Sequence, residues 1–328
     1  MNHEMVQNLH NKLIIDKARE MGIECKPLFL GCEDFLELSY QGKKKLINKT
    51  RSHKLTLVAG LLAKNKDASN FLLRSVGLPI PEYRVVSEMS DEVVRFLNTY
   101  KVVAVKPLDA QCSVGVTLGI ETEDQLIQAI QLAASHSDRV IVQKYIAGYD
   151  YRVLVIDGRI EGVLEYQPAY IEGDGTSTIE QLIHTLNENS RRQHNVGEFE
   201  AMKKVELEST DLLLNLKKQG KTIQDVLEKG ERVQLFTSEN VLASEMRVDR
   251  TDDICSENAR LAIEAARTLD IDVAGIDIRC QDISVPLTQS HGGILEVNAL
   301  PDMIDHIFPS QGTSREVIKA YLEYVVNE

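Results

Sequence analysis

Two short stretches near the end of the chain set the tightest limit on its fold. Ala274-Gly275-Ile276-Asp277-Ile278-Arg279 and Ile294-Leu295-Glu296-Val297-Asn298-Ala299-Leu300-Pro301 both read as buried strands, and each carries polar side chains that its apolar neighbours do not explain. Asp277 stands between two isoleucines, while Glu296 and Asn298 are two apart and so share one face of a strand. Three oxygen-bearing groups on neighbouring strands can converge on one spot, but unpaired carboxylates are costly to bury. A hard cation is the natural partner, and magnesium normally arrives with phosphate, held by one or two carboxylates. A structural calcium site or a buried salt bridge is the alternative. Magnesium with phosphate requires the rest of the chain to build a nucleotide pocket against these strands.

With 328 residues the chain can form two or three packed lobes. A net charge of -13 argues against a general nucleic-acid binder, yet a local cluster of Lys and Arg suffices for a phosphate ligand. The cysteines, Cys25, Cys32, Cys112, Cys255 and Cys280, show no C-x-x-C spacing and are odd in number. No zinc site or disulfide framework is expected, and a reducing cytoplasm is. Met1–His10 lacks a basic start and an apolar core, so no secretion signal is expected, and no apolar run is long enough to span a membrane.

The order of elements alternates helices and strands, an α/β (α+β) pattern. A helix over Val6–Met21 and three short strands over Cys25–Asn48 make a small lobe, 1–62. A central lobe, 63–150, contains a strand ending in Lys106-Pro107, a small-residue loop Gln111–Gly115, and a strand ending at Gln143-Lys144-Tyr145-Ile146. The third lobe, 151–328, opens with a hairpin turned at Asp157-Gly158. It includes a polar excursion near 187–204 with Arg191-Arg192, a short helix over Thr222–Leu227, an amphipathic helix Ser256–Leu269, and a last helix Ser314–Val326.

Several residues can carry chemistry, each with a plainer alternative. Lys106 ends a buried strand and keeps its charge inward only if an anion waits there; otherwise it snorkels to the surface. The Gln111–Gly115 turn, with Ser113, can fold backbone N–H groups over phosphates or be an ordinary hairpin loop. Exposed backbone at Gln143–Ile146 can read an adenine edge, and Asp150 can accept from ribose hydroxyls, or the stretch is a simple connection. Arg152 suits a phosphate or a carboxyl phosphate, or makes a surface ion pair. Arg247 and Arg250 fall in a loop before the amphipathic helix. His306 is a candidate for substrate contact, or a loop histidine. Ser310-Gln311-Gly312 can bind a carboxylate at the last helix or simply cap it.

In this order, Lys66, Lys106-Pro107-Leu108-Asp109, the small loop, Gln143–Val155, Ala274–Ile278 and Glu296–Asn298, the chain resembles the ATP-grasp superfamily. It is most similar to the ATP-grasp modules of cyanophycin synthetase and of bifunctional glutathione synthetase. The match runs from about Lys12 to Gly312 and includes Gly173–Ile183 and His306–Gly312. The resemblance implies a three-lobed fold with ATP between the central and C-terminal lobes. It implies that Lys66, Lys106 and the Ser113 loop hold phosphates, that Gln143, Lys144, Tyr145 and Ile146 hold adenine, and that Asp150 holds ribose. Asp277, Glu296 and Asn298 would hold Mg2+, with Mn2+ as a substitute, and Arg152 and Arg247 would act on the reacting groups beside His306 and Ser310.

The implied chemistry joins a small-molecule carboxylate, an amino acid or short peptide, to an amine through an acyl phosphate, with no nucleic acid and no membrane as partner. Glutathione-synthetase-type and cyanophycin-type ligation are the specific forms of this activity. A non-catalytic nucleotide-binding module and a small-molecule kinase are the rivals, and self-association as a homodimer is expected. The sequence departs from its relatives in three ways. The segment after Arg191-Arg192 is more charged and poorer in Gly. Leu242–Arg247 replaces a Gly-Gly-Thr stretch, so that Arg247 takes an anion-binding role there. The chain also lacks the relatives' partner domains, which points to a free-standing ligase.

Overall fold

The computed structural model describes residues 6–109, 114–188, 204–236 and 246–327. The first group of elements is α1 (Leu9–Glu20) with β1 (Glu24–Pro27), β2 (Leu36–Tyr40) and β3 (Lys43–Ile47), an antiparallel three-stranded sheet. Two helices follow, α2 (Leu57–Lys64) and α3 (Lys66–Ser75). Between them Asn65 accepts a hydrogen bond from the Ala68 N–H and so starts α3.

The second group is β4 (Tyr83–Val86), α4 (Asp91–Tyr100), β5 (Val103–Pro107), β6 (Thr117–Ile120), α5 (Glu123–Ala134) and β7 (Val140–Lys144). It forms a four-stranded antiparallel sheet of order β4-β7-β5-β6. Val103, Val105, Val140 and Val142 face α4 and α5 in one apolar cluster. By alternation the opposite face presents Ala104, Lys106 and Gln143. A reciprocal capping box, Thr122 with Gln125, fixes the start of α5.

The third group is β8 (Tyr149–Ile156), β9 (Arg159–Gln167), β10 (Tyr170–Glu172), α6 (Ile179–Asn187), α7 (Thr210–Lys218), β11 (Arg232–Gln234), β12 (Met246–Asp249), α8 (Ser256–Thr268), β13 (Val273–Cys280), α9 (Leu287–Ser290), β14 (Gly293–Asn298), α10 (Ile304–Ile307) and α11 (Val317–Val326). Its main sheet is five-stranded and antiparallel, in the order β12-β9-β8-β13-β14. Strands β10 and β11 pair separately, and α6 and α7 cover them around their own apolar cluster. Asp157 and Gly158 both take positive φ at the β8–β9 turn, as a two-residue hairpin requires.

The two faces of the five-stranded sheet are buried by different parts of the chain. One face presents Tyr151, Val153, Val155, Ile276 and Ile278 to α8 and to Ala59, Ala63, Leu73 and Leu78. Helix α3, grouped on sequence order with the central lobe, thus packs in the core of the large sheet. The other face presents Leu154, Ile156 and Val273 to α1, the three-stranded sheet and α11. Farther along that same face the alternation brings up Asp150, Arg152, Asp277 and Arg279. The face is therefore apolar where the N-terminal elements cover it and charged beyond them.

Three sequence expectations need correction. Thr222–Leu227 forms turns rather than a helix, because the Ile223 and Asp225 carbonyls accept from Glu180 and Ile179 N–H at the start of α6. Arg247 lies in strand β12, paired with Tyr166 of β9, not in a loop. The last helix begins at Val317 rather than Ser314, because the preceding residues are pinned elsewhere. Ser310 N donates to Arg247 O, Asp249 N donates to Gln311 O, and Arg315 forks onto Asp249 and Asp252. The excursion near 187–204, with Arg191-Arg192, lies for the most part outside the described residues.

Gly148, just before β8, has φ +131, and a Cβ there would stand 2.2 Å from the Cys280 carbonyl oxygen. Gly148→Ala is expected to destabilise the protein by about 2–3 kcal/mol. Urea unfolding followed by circular dichroism checks this, and an unchanged midpoint would refute it.

Candidate active site

The charged part of the large sheet is built from three adjacent strands in strict register. Arg152 on β8 lies opposite Asp277 on β13, and Asp277 in turn lies opposite Glu296 on β14. One step along, Asp150 lies opposite Arg279, and Gly275 lies opposite Asn298. The register of β13 against β14 shifts between Asp277 and Ile278. Two carboxylates directly across from one another repel by up to about 1 kcal/mol in a sheet. The structure offsets this with cations. Arg152 Nε donates to Asp277 Oδ1 and its Nη2 to Oδ2, and Asn298 Nδ2 donates to Asp277 Oδ2 at 3.2 Å. Asp277 thus forms an ion pair with Arg152, half-buried rather than buried. Burial, and then the Asp277 charge, pushes the Glu296 carboxyl above the usual carboxylate range, although Lys66 and Lys106 pull it back.

The facing wall comes from α3 and the four-stranded sheet. Lys66 opens α3, is 8% exposed, and places Nζ 3.7 Å from Glu296 Oε1. Lys106, on the cavity side of β5, forms no ion pair among the described residues, and burial pulls its ammonium below the ordinary lysine value. At the end of β7, Gln143 Nε2 is buried without a partner, as is Asp150 Oδ1. These orphaned polar atoms fit a ligand with its own donors and acceptors, since such groups are costly to leave unpaired. Arg279 fastens this end: Nε donates to Ile146 O at 2.8 Å, Nη1 meets Asp150 Oδ2 at 2.8 Å, and Nη2 reaches Tyr145 Oη at 3.3 Å. Gly293 lets β14 approach closely, because a Cβ there would meet Ile146 at 2.9 Å and the Pro79 carbonyl at 3.0 Å.

Between the walls lies a cavity of about 560 Å³, within the range of small-ligand sites. Of the residues singled out in the sequence, Lys66, Lys106, Gln143, Lys144, Tyr145, Ile146, Asp150, Arg152, Asp277, Glu296 and Asn298 all line it. Arg247, His306 and Ser310 are not among its lining residues. Arg247 pairs with Asp305 at 3.1 Å and lies over the Tyr166 ring, and Ser310 Oγ accepts from Arg247 N. His306 is 1% exposed and packs against Gly162, and burial holds its pKa down to about 4, so it is neutral near pH 7. Ser113 lies outside the described residues.

Among the charged lining residues, Arg279, Asp302, Arg51 and Lys64 were not singled out in the sequence. The first had a readable signal, since a charged residue two positions after Asp277 in an apolar strand shares its face.

Asp277, Glu296 and Asn298 supply only oxygen donors, which suits a hard cation. Among the described residues no group of three or more His, Cys, Asp or Glu could hold a metal by itself. The set therefore fits a cation that completes its shell with phosphate and water. No helix of the described residues is long and apolar enough to cross a membrane.

Residues 72–222 match the family described as D-ala D-ala ligase C-terminus. Over 312 residues, 94% of the chain, the sequence is 34% identical to cyanophycin synthetase of Trichormus variabilis. The glutathione biosynthesis bifunctional protein of Enterococcus faecalis is 28% identical over 329 residues, 98% of this chain and 43% of that protein. The crystal structure of a bifunctional glutathione synthetase from Pasteurella multocida has the same fold, with a TM-score of 0.77 at 24% identity over 98% of this chain and 44% of that one. The chain spans 34% of the length of the cyanophycin synthetase.

The raised Glu296 pKa has a consequence for stability. In the unfolded chain this carboxyl ionises in the ordinary range; in the folded chain it holds its proton to higher pH. Folding is therefore penalised as pH rises through that interval, and the penalty persists at pH 7. Glu296→Gln is expected to raise the Tm of the ligand-free protein at pH 7 by about 2–4 °C, for a gain of about 1 kcal/mol. The gain should vanish at a pH below the ordinary carboxylate range. Scanning calorimetry at both pH values measures it, and a lowered Tm at pH 7 would show that the carboxylate pair is not strained.

Proposed function

We propose that this chain, which belongs to the ATP-grasp superfamily, is an ATP- and magnesium-dependent ligase that joins a small-molecule carboxylate to an amine. One observation carries the reading: Asp277 and Glu296 face each other across two strands and open onto the same cavity as Lys66 and Lys106. The reading accounts for two like charges in direct register and for two lysines at the same space, one of them with no ion pair among the described residues.

In this reading Gln143, Lys144, Tyr145 and Ile146 hold the adenine, and Asp150 accepts from the ribose. Lys66 and Lys106 neutralise the phosphates, and the buried Lys106 regains an ordinary ammonium when an anion replaces lost water. Asp277, Glu296 and Asn298 would hold Mg2+, or Mn2+ in its place, and such an ion would draw charge from the transferring phosphoryl group. A carboxylate oxygen of the first substrate attacks the γ-phosphorus, the bond to the β-phosphate oxygen breaks, and ADP leaves. An amine nitrogen of the second substrate then attacks the acyl carbon, loses a proton, and expels inorganic phosphate. Arg152, held at the edge of the cavity by Asp277, orients the reacting phosphoryl oxygens. Enclosure between the two sheets keeps water from the acyl phosphate.

Incubation with ATP, Mg2+ and pairwise combinations of amino acids and short peptides should release phosphate only when both an acid and an amine are present. Phosphate release that needs no amine, with a stable phosphorylated product, would instead mark a kinase; no release from any pair with intact ATP binding would mark a non-catalytic module. Lys106→Ala is expected to weaken ATP binding by about 10–100-fold, the loss of one charge-assisted contact. Calorimetric titration reads this directly, and unchanged affinity would remove Lys106 from the phosphate site.

A further inference from the structure

Arg51 is a cavity-lining cation that the ATP reading leaves without a role; it lies between the three-stranded N-terminal sheet and α2. Its side chain makes a single hydrogen bond, to Asn48 Oδ1 at 3.1 Å, and no ion pair among the described residues. The backbone that carries it is anchored on both sides. Arg51 and Asn48 exchange backbone hydrogen bonds of 3.1 and 2.9 Å. Buried Thr50 donates from Oγ1 to Pro301 O at 2.8 Å, and Tyr321 Oη donates to Lys49 O at 3.2 Å.

The Thr50–Pro301 bond also locates Arg51 along the cavity. Strand β14 runs from Gly293, packed on Ile146, through Glu296 and Asn298, and the chain then continues to Pro301 and Asp302. The adenine side lies at Ile146 and the metal ligands follow it. Arg51 therefore stands beyond the metal ligands, on the side away from Ile146. Asp302, which also lines the cavity, sits next to Pro301 there. Arg51 and Asp302 do not pair; Asp302 Oδ1 accepts from Ile304 N at 2.7 Å and stands 3.4 Å from His10 Nε2. A carboxylate at this end also disfavours a polyanion, so Arg51 is badly placed to serve as another phosphate clamp.

We propose that Arg51 is a specificity-determining residue: it binds a carboxylate that does not itself react, carried by an amino-acid or peptide substrate. This rests on the ligase reading above. A guanidinium that makes one side-chain hydrogen bond among the described residues keeps donors for a planar carboxylate in two-point geometry. The unreacting carboxylate belongs either to the amine-bearing substrate or to a dicarboxylic first substrate.

Calorimetric titration of the full chain, saturated with Mg2+ and a non-hydrolysable ATP analogue, separates these. The ligands are the protein amino acids against their α-carboxamides, and succinate and glutarate against their monoamides. In the wild type at least one free acid should bind about 10–100-fold more tightly than its amide. Arg51→Gln should abolish that preference by weakening the acid alone, and Arg51→Lys should restore part of it. The pair that shows the effect identifies which substrate carries the carboxylate.

A wild type with no preference for any free acid, or an Arg51→Gln variant that retains it, overturns the assignment. Loss of ADP affinity in Arg51→Gln also overturns it, by placing the residue at the nucleotide. Phosphate release from an acid–amine pair, with an acid preference insensitive to Arg51→Gln, would sink the role of Arg51 and leave the ligase standing. An Arg51-dependent preference with no phosphate release from any pair would do the reverse.

Discussion

The repulsion between Asp277 and Glu296 is the constraint around which the molecule is arranged. The strand register sets the two residues directly across the sheet from one another, on one face. Every nearby charge answers them: Arg152 forks onto Asp277, Lys66 approaches Glu296, and Lys106 faces both from the opposite wall. The compensation is incomplete. The Glu296 carboxyl is still held above the usual carboxylate range, and burial still holds the Lys106 ammonium below the ordinary lysine value. An anion beside the lysines and a cation beside the carboxylates relieve both strains together, which is why a metal-bound polyphosphate suits the site better than either ion alone.

The fold supports this by burying each face of one sheet under a different partner. Helices α2, α3 and α8 cover the first face from end to end. On the second face α1, the three-stranded sheet and α11 cover only the apolar half. The charged half is left to the four-stranded sheet, which turns its own polar face toward it and packs α4 and α5 behind. Arg279 then ties the end of β7 to β13 through Ile146, Tyr145 and Asp150. The cavity is thus a product of two sheets whose parities agree.

Much of this was legible in the sequence because a strand's period of two exposes residues of the wrong polarity. Asp277 between isoleucines, and Lys106 after Val103-Ala104-Val105, each announced a face that is not plain core. The same reasoning reached Glu296 and Asn298, two apart on one strand. Arg279 carried the same signal, two positions after Asp277 on the same face of the strand. Arg51 and Asp302 carried no such signal; they lie in irregular segments, and long-range contacts such as Thr50–Pro301 and Tyr321–Lys49 fix where those segments lie. Arg247 and His306 failed in the other direction. Polar residues near a site in sequence can be spent on structure: Arg247 pairs with Asp305 at the β12 edge, and His306 fills the space over Gly162. The missing helix at Thr222–Leu227 has a similar cause, since carbonyls that would have closed it instead cap α6.

The most direct test of the central claim is whether metal and nucleotide depend on each other. Electron paramagnetic resonance of Mn2+ titrated into the protein reports free and bound ion. Two carboxylates and an amide are too few donors to hold the ion alone, so Mn2+ should bind weakly to the protein by itself and tightly once ATP is added. That tight binding should be lost in Asp277→Asn. Equal Mn2+ affinity with and without nucleotide, or tight ternary binding that survives Asp277→Asn, would contradict the account.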